Sequence, residues 1–160
     1  MYRFEKVSLE QWLKDSGRAE CILNEIKLPQ RATKSSAGYD FYSPWELNLS
    51  AGESIKIATG IKAKIPENSV LLLFPRSSLG FKYFTRLANT IGVVDADYYN
   101  NEGNEGHIFI KIRNEGESTL HISAGEAFAQ GVIIPYLTMD NDDSSNIRKG
   151  GIGSSDKTNE

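Results

Sequence analysis

The segment Ile91-Gly92-Val93-Val94-Asp95-Ala96-Asp97-Tyr98-Tyr99 carries two carboxylates two residues apart, after an apolar run and before two aromatics. If it runs extended, residues i and i+2 point the same way, so Asp95 and Asp97 share a face, a setting suited to a base that activates water. A second candidate is Pro75-Arg76-Ser77-Ser78, in which a cation and two hydroxyls could hold a phosphate by one charge-assisted bond and neutral donors. A third is Gly150-Gly151-Ile152-Gly153-Ser154-Ser155, preceded by Arg148-Lys149, where glycines let backbone N–H groups approach an anion. Each also has an ordinary reading: turn aspartates accepting backbone bonds, a surface arginine, an edge tyrosine, a glycine-rich terminus. His107 and His121 have no Cys or HxxxH partner near them and read as surface or edge histidines without a metal role.

These groups need a scaffold. Ser8-Leu9-Glu10-Gln11 has the form of a capping box and predicts a short amphipathic helix near residues 8 to 15, part of an N-terminal appendage over 1–19. From residue 20 onward, short β-branched or alternating segments are separated by Gly, Pro and Asn every eight to twelve residues, and helices are nearly absent, the pattern of an all-β sandwich or barrel. Residues 53–58, 61–65 and 107–113 alternate, with Ile108, Ile110 and Ile112 on one face. Val70-Leu71-Leu72-Leu73-Phe74 is continuously apolar and predicts a strand buried on both faces, delivering Arg76 to a fixed place. Residues 20–136 form the expected β core of a single domain, and the acidic, then glycine-rich stretch 137–160 is expected to be a flexible C-terminal arm.

With 160 residues, 39% of them hydrophobic, the chain fits one core. A net charge of -3 provides no basic field for duplex nucleic acid or anionic lipid, so phosphate binding must come from local groups. The lone Cys21 excludes an internal disulfide and a multi-cysteine zinc site, and fits a reducing compartment. No secretory signal or membrane-length apolar run is recognisable, so a soluble cytoplasmic protein is expected.

Read together, the motifs resemble the trimeric all-β dUTPase family over about residues 20 to 155. Five family motifs occur in the family's order: Ala37-Gly38-Tyr39-Asp40; Pro75-Arg76-Ser77-Ser78; Gly92-Val93-Val94-Asp95-Ala96-Asp97-Tyr98, with Asn89 six residues before Asp95; Gly125-Glu126-Ala127-Phe128-Ala129-Gln130; and the Gly/Ser-rich terminal stretch. Three departures stand out. The segment after Tyr98 is longer than the family's, Ala127-Phe128 replaces an Arg-Ile, and Ile152 replaces the aromatic that caps the base. An aliphatic side chain covers a uracil without stacking on it, and Phe81, Tyr83 or Phe84 are candidates to compensate.

The resemblance implies a distorted jelly-roll sandwich that hydrolyses dUTP to dUMP and pyrophosphate as a homotrimer with shared sites. In that scheme Asp95 is the general base for water attack at the α-phosphorus. Tyr98 packs beneath the deoxyribose, while Gly92, Val93 and Val94 of a tight hairpin, with Asn89, read the uracil. Arg76, Ser77, Ser78 and Gln130 hold phosphates, and Arg148, Gly153, Ser154 and Ser155 close over them. Mg2+ bridges phosphate oxygens, contacted by Asp40 through water, and Asp97 becomes a residue that helps set the turn. A dCTP deaminase on the same fold would need a Glu where Lys111 stands. A weakly catalytic protein-binding module would have no need of intact Asp95, Tyr98, Arg76 and Gln130.

Overall fold

The computed structural model describes residues 1–144, 148 and 150. In chain order the elements are β1 (Arg3–Lys6), α1 (Leu9–Ser16), α2 (Glu20–Glu25), β2 (Gln30–Arg31), β3 (Tyr39–Tyr42), β4 (Leu47–Leu49), β5 (Ser54–Ala58) and β6 (Ile61–Lys64). They continue with β7 (Ser69–Pro75), α3 (Ser77–Tyr83), β8 (Arg86–Leu87), β9 (Gly92–Asp95), a 3-10 turn (Ala96–Tyr98), β10 (Phe109–Arg113), β11 (Leu120–Ile122) and β12 (Ala127–Pro135). The architecture is all-β. A five-stranded sheet of order β2-β3-β12-β7-β9 and a three-stranded sheet β5-β10-β8 share one core cluster, joined by the pairs β1-β6 and β11-β4.

The alternating pattern works as expected in β10, where Ile110 and Ile112 are buried together with Ile108 just before the strand. In β7 the inward residues Leu71 and Leu73 are buried, whereas Val70, Leu72 and Phe74 are only half-buried. The strand is therefore covered on one face, not on both. Directly opposed residues of antiparallel strands point the same way, so Val93 opposite Leu72, and Ile134 opposite Val70, extend that uncovered strip outward.

The N-terminus is not an appendage. Strand β1 pairs with β6, and Trp12 on α1 is fully buried, its indole N–H donating to the Ala19 carbonyl at 3.2 Å. The Ser8 side chain caps α1 by accepting from Gln11 N at 3.1 Å. The reciprocal half of a capping box is absent: Gln11 donates instead to Asp15 at 2.7 Å, and Ser8 N donates to Glu105 at 3.0 Å. Ser8 N takes a partner 97 residues away, which ties the start of the helix to the rest of the fold, and Gln11 takes one a single turn on in the same helix.

Two helices escape the β-rich reading. Neither α2, whose N-cap is Ala19, nor α3, whose N-cap is Arg76, has a side-chain cap, and α3 contains Gly80, so the local start signals are missing. Burial of Leu23 and Leu79 supplies what propensity does not.

The longer segment after Tyr98 does not close a hairpin on Gly92–Asp95. Strand β9 pairs with β7, whereas β10 pairs with β5 and β8. The tight turn instead spans Leu87 to Thr90, bridged between those two residues, with Thr90 at φ 65° and Asn89 exposed at its tip. That turn passes the chain from one sheet to the other.

Candidate active site

Three of the motifs meet at one end of β7. Gln130 on β12 stands opposite Asp40 on β3 and opposite Phe74 on β7, and the Gln130 amide donates to the Pro75 carbonyl at 3.4 Å. Arg76, the next residue, pairs with Asp40 at 3.5 Å. Gly38 makes room for this group, because a Cβ there would sit 2.6 Å from Gln130 Oε1. Ser77 and Ser78 are exposed on the first turn of α3, where backbone N–H groups have no preceding helical carbonyl to bond. The end of β7 thus presents a cation, hydroxyls, a primary amide and unpaired N–H groups, all suited to phosphate oxygens. Asp40, half-buried beside them, is the lone carboxylate of the group.

Asp95 lies at the other end. It stands opposite Val70, on the same outer sheet face as Gln130 and Asp40. Four residues of β7 separate the two registers, about 13 Å along the strand, and Asp95 and Gln130 flank β7, roughly 10 Å apart across it. Strand β9 ends at Asp95 and Asp97 sits in the 3-10 turn, so strand periodicity does not place the two carboxylates together. A shared cation does: Arg148 donates to Asp95 at 2.5 Å and to Asp97 at 2.9 Å, with its guanidinium 5.6 Å from the Tyr98 ring centroid. Beside this group opens a cleft of about 540 Å³ lined by Lys64, Glu67, Asp95, Asp97, Tyr99 and Tyr136, among others. Val94 is buried, Val93 is 61% exposed, and Gly92 packs its backbone against Leu73, so the β9 edge near Asn89 is accessible. Phe81 and Phe84 are exposed on α3 and its cap, on the Arg76 side of the chain. Gly153, Ser154, Ser155 and Ile152 lie outside the described residues.

Behind Asp95 lies a network that the sequence reading missed. Tyr98 is buried, its hydroxyl donating to the His107 carbonyl at 3.0 Å and accepting from Asn104 at 2.8 Å. His107, read above as a surface or edge residue, is fully buried. Its Nε2 accepts from Gly60 N at 2.8 Å, which leaves the proton on Nδ1 to be donated to Asp15 at 2.6 Å. Burial depresses the His107 pKa, and this outweighs the opposing hydrogen bond and charge of Asp15. The only sequence trace of the network is the spacing of Asn101 and Asn104 among glycines, a composition that marks side-chain-to-backbone turns.

The buried neutral histidine has a thermodynamic consequence. The unfolded chain takes up a proton near pH 6.5 that the folded chain refuses, so stability falls as pH drops below that value and continues to fall until the depressed native value is reached. The slope contributed approaches about 1.4 kcal/mol per pH unit. Urea midpoints measured between pH 7.5 and 5.5 will show this loss, and His107→Gln will flatten it. An unchanged slope in the variant would place the titration elsewhere.

Among the described residues no three His, Cys, Asp or Glu side chains cluster to hold a metal ion, and no helix is long and apolar enough to cross a membrane. Residues 24–156 match the family model described as dUTPase. The chain is 41% identical over 131 residues to the deoxyuridine 5'-triphosphate nucleotidohydrolase of Lactococcus lactis subsp. lactis, covering 81% of this chain and 87% of that protein. It is similar to the crystal structure of dUTPase from Streptococcus mutans, with TM-score 0.69 and 38% identity over 87% of this chain and 99% of that one. A dUTPase from phage phi11 of S. aureus, described with a structural Mg(II) ion, superimposes with TM-score 0.65, covering 91% of this chain and 97% of that one; at 23% identity this likeness concerns the fold alone.

Proposed function

Because the chain belongs to the dUTPase family and hydrolyses dUTP to dUMP and pyrophosphate, we propose that it does so with Asp95 as general base, in sites assembled between neighbouring subunits of a homotrimer. The observation that carries this reading is the separation of the two half-sites. An attacking water must lie about 3–3.5 Å from the phosphorus and within hydrogen-bond reach of its base, so base and phosphate ligands must converge within several ångströms. In one chain Asp95 and Gln130 sit at opposite ends of the β7 register, and Arg76 lies beyond Gln130. Between them runs the uncovered apolar strip of Val70, Leu72, Phe74, Val93 and Ile134, a surface suited to cover by a second copy.

In the assembled site, Asp95 orients the water and takes its proton as the α-phosphorus is attacked in line and pyrophosphate leaves. Arg76, Ser77, Ser78 and Gln130 of the neighbour bind the triphosphate. The accessible edge of β9, with Gly92, Val93 and Val94, offers backbone groups to the uracil, and Asn89 adds a side-chain amide. The Tyr98 ring supports the deoxyribose. Arg148 exchanges its two carboxylates for phosphate oxygens when substrate arrives, and Gly153, Ser154 and Ser155 join it in closing over them. Mg2+ would be held mainly by the triphosphate, because one or two carboxylates plus phosphate oxygens are its usual ligand set. Asp40, beside the phosphate-binding group, is the residue that would touch its water shell; when bound, the ion neutralises phosphate charge. The single cysteine, Cys21, exposed and free, fits the reducing cytoplasm in which we place the protein.

Incubation with dUTP, dCTP, dTTP and UTP in the presence of Mg2+ tests the reading. Pyrophosphate is expected from dUTP, with little from the other three and no ammonia from dCTP. Release of ammonia, or comparable turnover of dTTP, would overturn it.

A further inference from the structure

The segment 99–106, longer than its counterpart in the family, has no role in substrate binding or catalysis so far, yet Asn101 and Asn104 within it are hydrogen-bonded on both sides. We infer that Asn104 is a positioning residue for Tyr98, locking the phenol from behind so that only the ring is presented to the sugar; this rests on the reading that Tyr98 supports the deoxyribose.

A phenolic hydroxyl has one donor and two acceptor positions. Tyr98 spends the donor on the His107 carbonyl and receives Asn104 Nδ2 at 2.8 Å, and its burial pushes the phenol pKa up, which keeps it a neutral donor. Asn104 cannot swing away, because its Oδ1 accepts from Asn101 Nδ2 at 2.8 Å and from Gly106 N at 3.1 Å. Asn101 is fixed in turn: its Nδ2 donates to the Tyr98 carbonyl at 2.8 Å, and its Oδ1 accepts from Gly103 N at 3.0 Å and Asn104 N at 3.1 Å. Both amides are therefore oriented by partners on each side.

The loop is also pressed onto the tyrosine. Gly106 adopts φ 78°, and a Cβ there would fall 2.5 Å from the Tyr98 carbonyl oxygen. Its far side is bolted to the core through Glu105, which accepts from Ser8 N and Ser8 Oγ and lies 3.4 Å from Lys62 Nζ, and through His107 on Asp15 and Gly60. Such a held ring costs little ordering when a sugar docks on it. With its hydroxyl satisfied in the interior, Tyr98 offers no polar group to a ribose 2'-hydroxyl. A ring no longer tethered at its hydroxyl end, whether Asn104 or the hydroxyl itself is lost, would rock out of place and open room for that hydroxyl.

The test is a double-mutant cycle read as the ratio of kcat/KM for dUTP to that for UTP. Asn104→Ala and Tyr98→Phe are each expected to lower the ratio about three- to tenfold, the size of one neutral hydrogen bond. In the Tyr98→Phe background Asn104→Ala should add less than about twofold, because the partner it acts through is gone. An unchanged ratio in both single variants, or a full additional loss in the double variant, overturns the inference. If Asn104→Ala does not fold, an unchanged ratio in Tyr98→Phe alone overturns it. Tyr98→Ala separates the premise from the inference: a ratio that collapses there but is unmoved by Asn104→Ala refutes only the positioning role, whereas an unmoved ratio in Tyr98→Ala removes the sugar role of Tyr98 and the inference with it.

Discussion

Asp95→Asn will lower turnover of dUTP by about 10²- to 10⁴-fold, the range attributable to one general base, while leaving binding of a non-hydrolysable dUTP analogue within about threefold. The asymmetry follows from what the substitution keeps. Asparagine has the same shape, and Asp95 is half-buried at the end of β9, its backbone held in register opposite Val70. The amide oxygen can still orient a water, but it cannot accept the proton that the water must lose. Arg148 loses its 2.5 Å partner and keeps Asp97 at 2.9 Å, so the cation stays near the site. Asp97→Asn leaves the proposed base in place, and its cost is confined to that second ion-pair partner, exposed and therefore worth little. Single-turnover pyrophosphate release and calorimetric titration of both variants check the pair of predictions. Equal loss of binding and turnover in Asp95→Asn would make Asp95 a structural residue.

The behaviour of Asp95 also shows where sequence reading succeeds and where it stops. The strands whose apolar residues alternate, such as β10 with Ile110 and Ile112, were legible because half-burial imposes period two. Motif order placed Asp40, Arg76, Gln130 and Asp95 on the list of candidates, and β3, β12, β7 and β9 do lie side by side in one sheet. Strand partnership was not legible. The longer segment after Tyr98 left the tip of the hairpin around Gly92 and Val93 open; it lacks the two-residue turn that would return the chain, and β9 closes on β7 instead. Burial of polar groups was equally hidden. His107 looked peripheral because nothing nearby in sequence could satisfy it; its partners are Asp15 and Gly60, 92 and 47 residues away. The same holds for Ser8 and Glu105, 97 residues apart. Hydrogen bonds of that span leave no local periodicity, and so α1 was set outside a core that it helps to close.

Two variants that are each nearly inactive will restore activity when mixed. Arg76→Ala removes the guanidinium beside Asp40 and Gln130, and Asp95→Asn removes the proposed base at the far end of β7; neither change touches the residues altered by the other. If every site takes Asp95 from one subunit and the phosphate-binding group from its neighbour, random assembly of equal amounts leaves about a quarter of the sites with both groups intact. Subunits exchanged by mild denaturation and dilution should therefore recover on the order of a quarter of wild-type turnover per site, and co-expressed subunits purified through two different tags, which removes unmixed trimers, about a third, against a background at least tenfold lower for each variant alone. Mixing Asp95→Asn with Asp95→Ala supplies the control, since no combination there restores a base. The separation of the two groups along β7 makes the result decisive. A site closed within one chain would need Asp95 and Gln130 to approach by roughly 10 Å across a paired sheet, which breaks the β7 ladder that both depend on. In that case every site in the mixture carries one defect and the activity stays at background. Recovery instead shows that Asp95 and the phosphate-binding group of one site come from different subunits, as the half-buried strip of Val70, Leu72 and Phe74 between them leads us to expect.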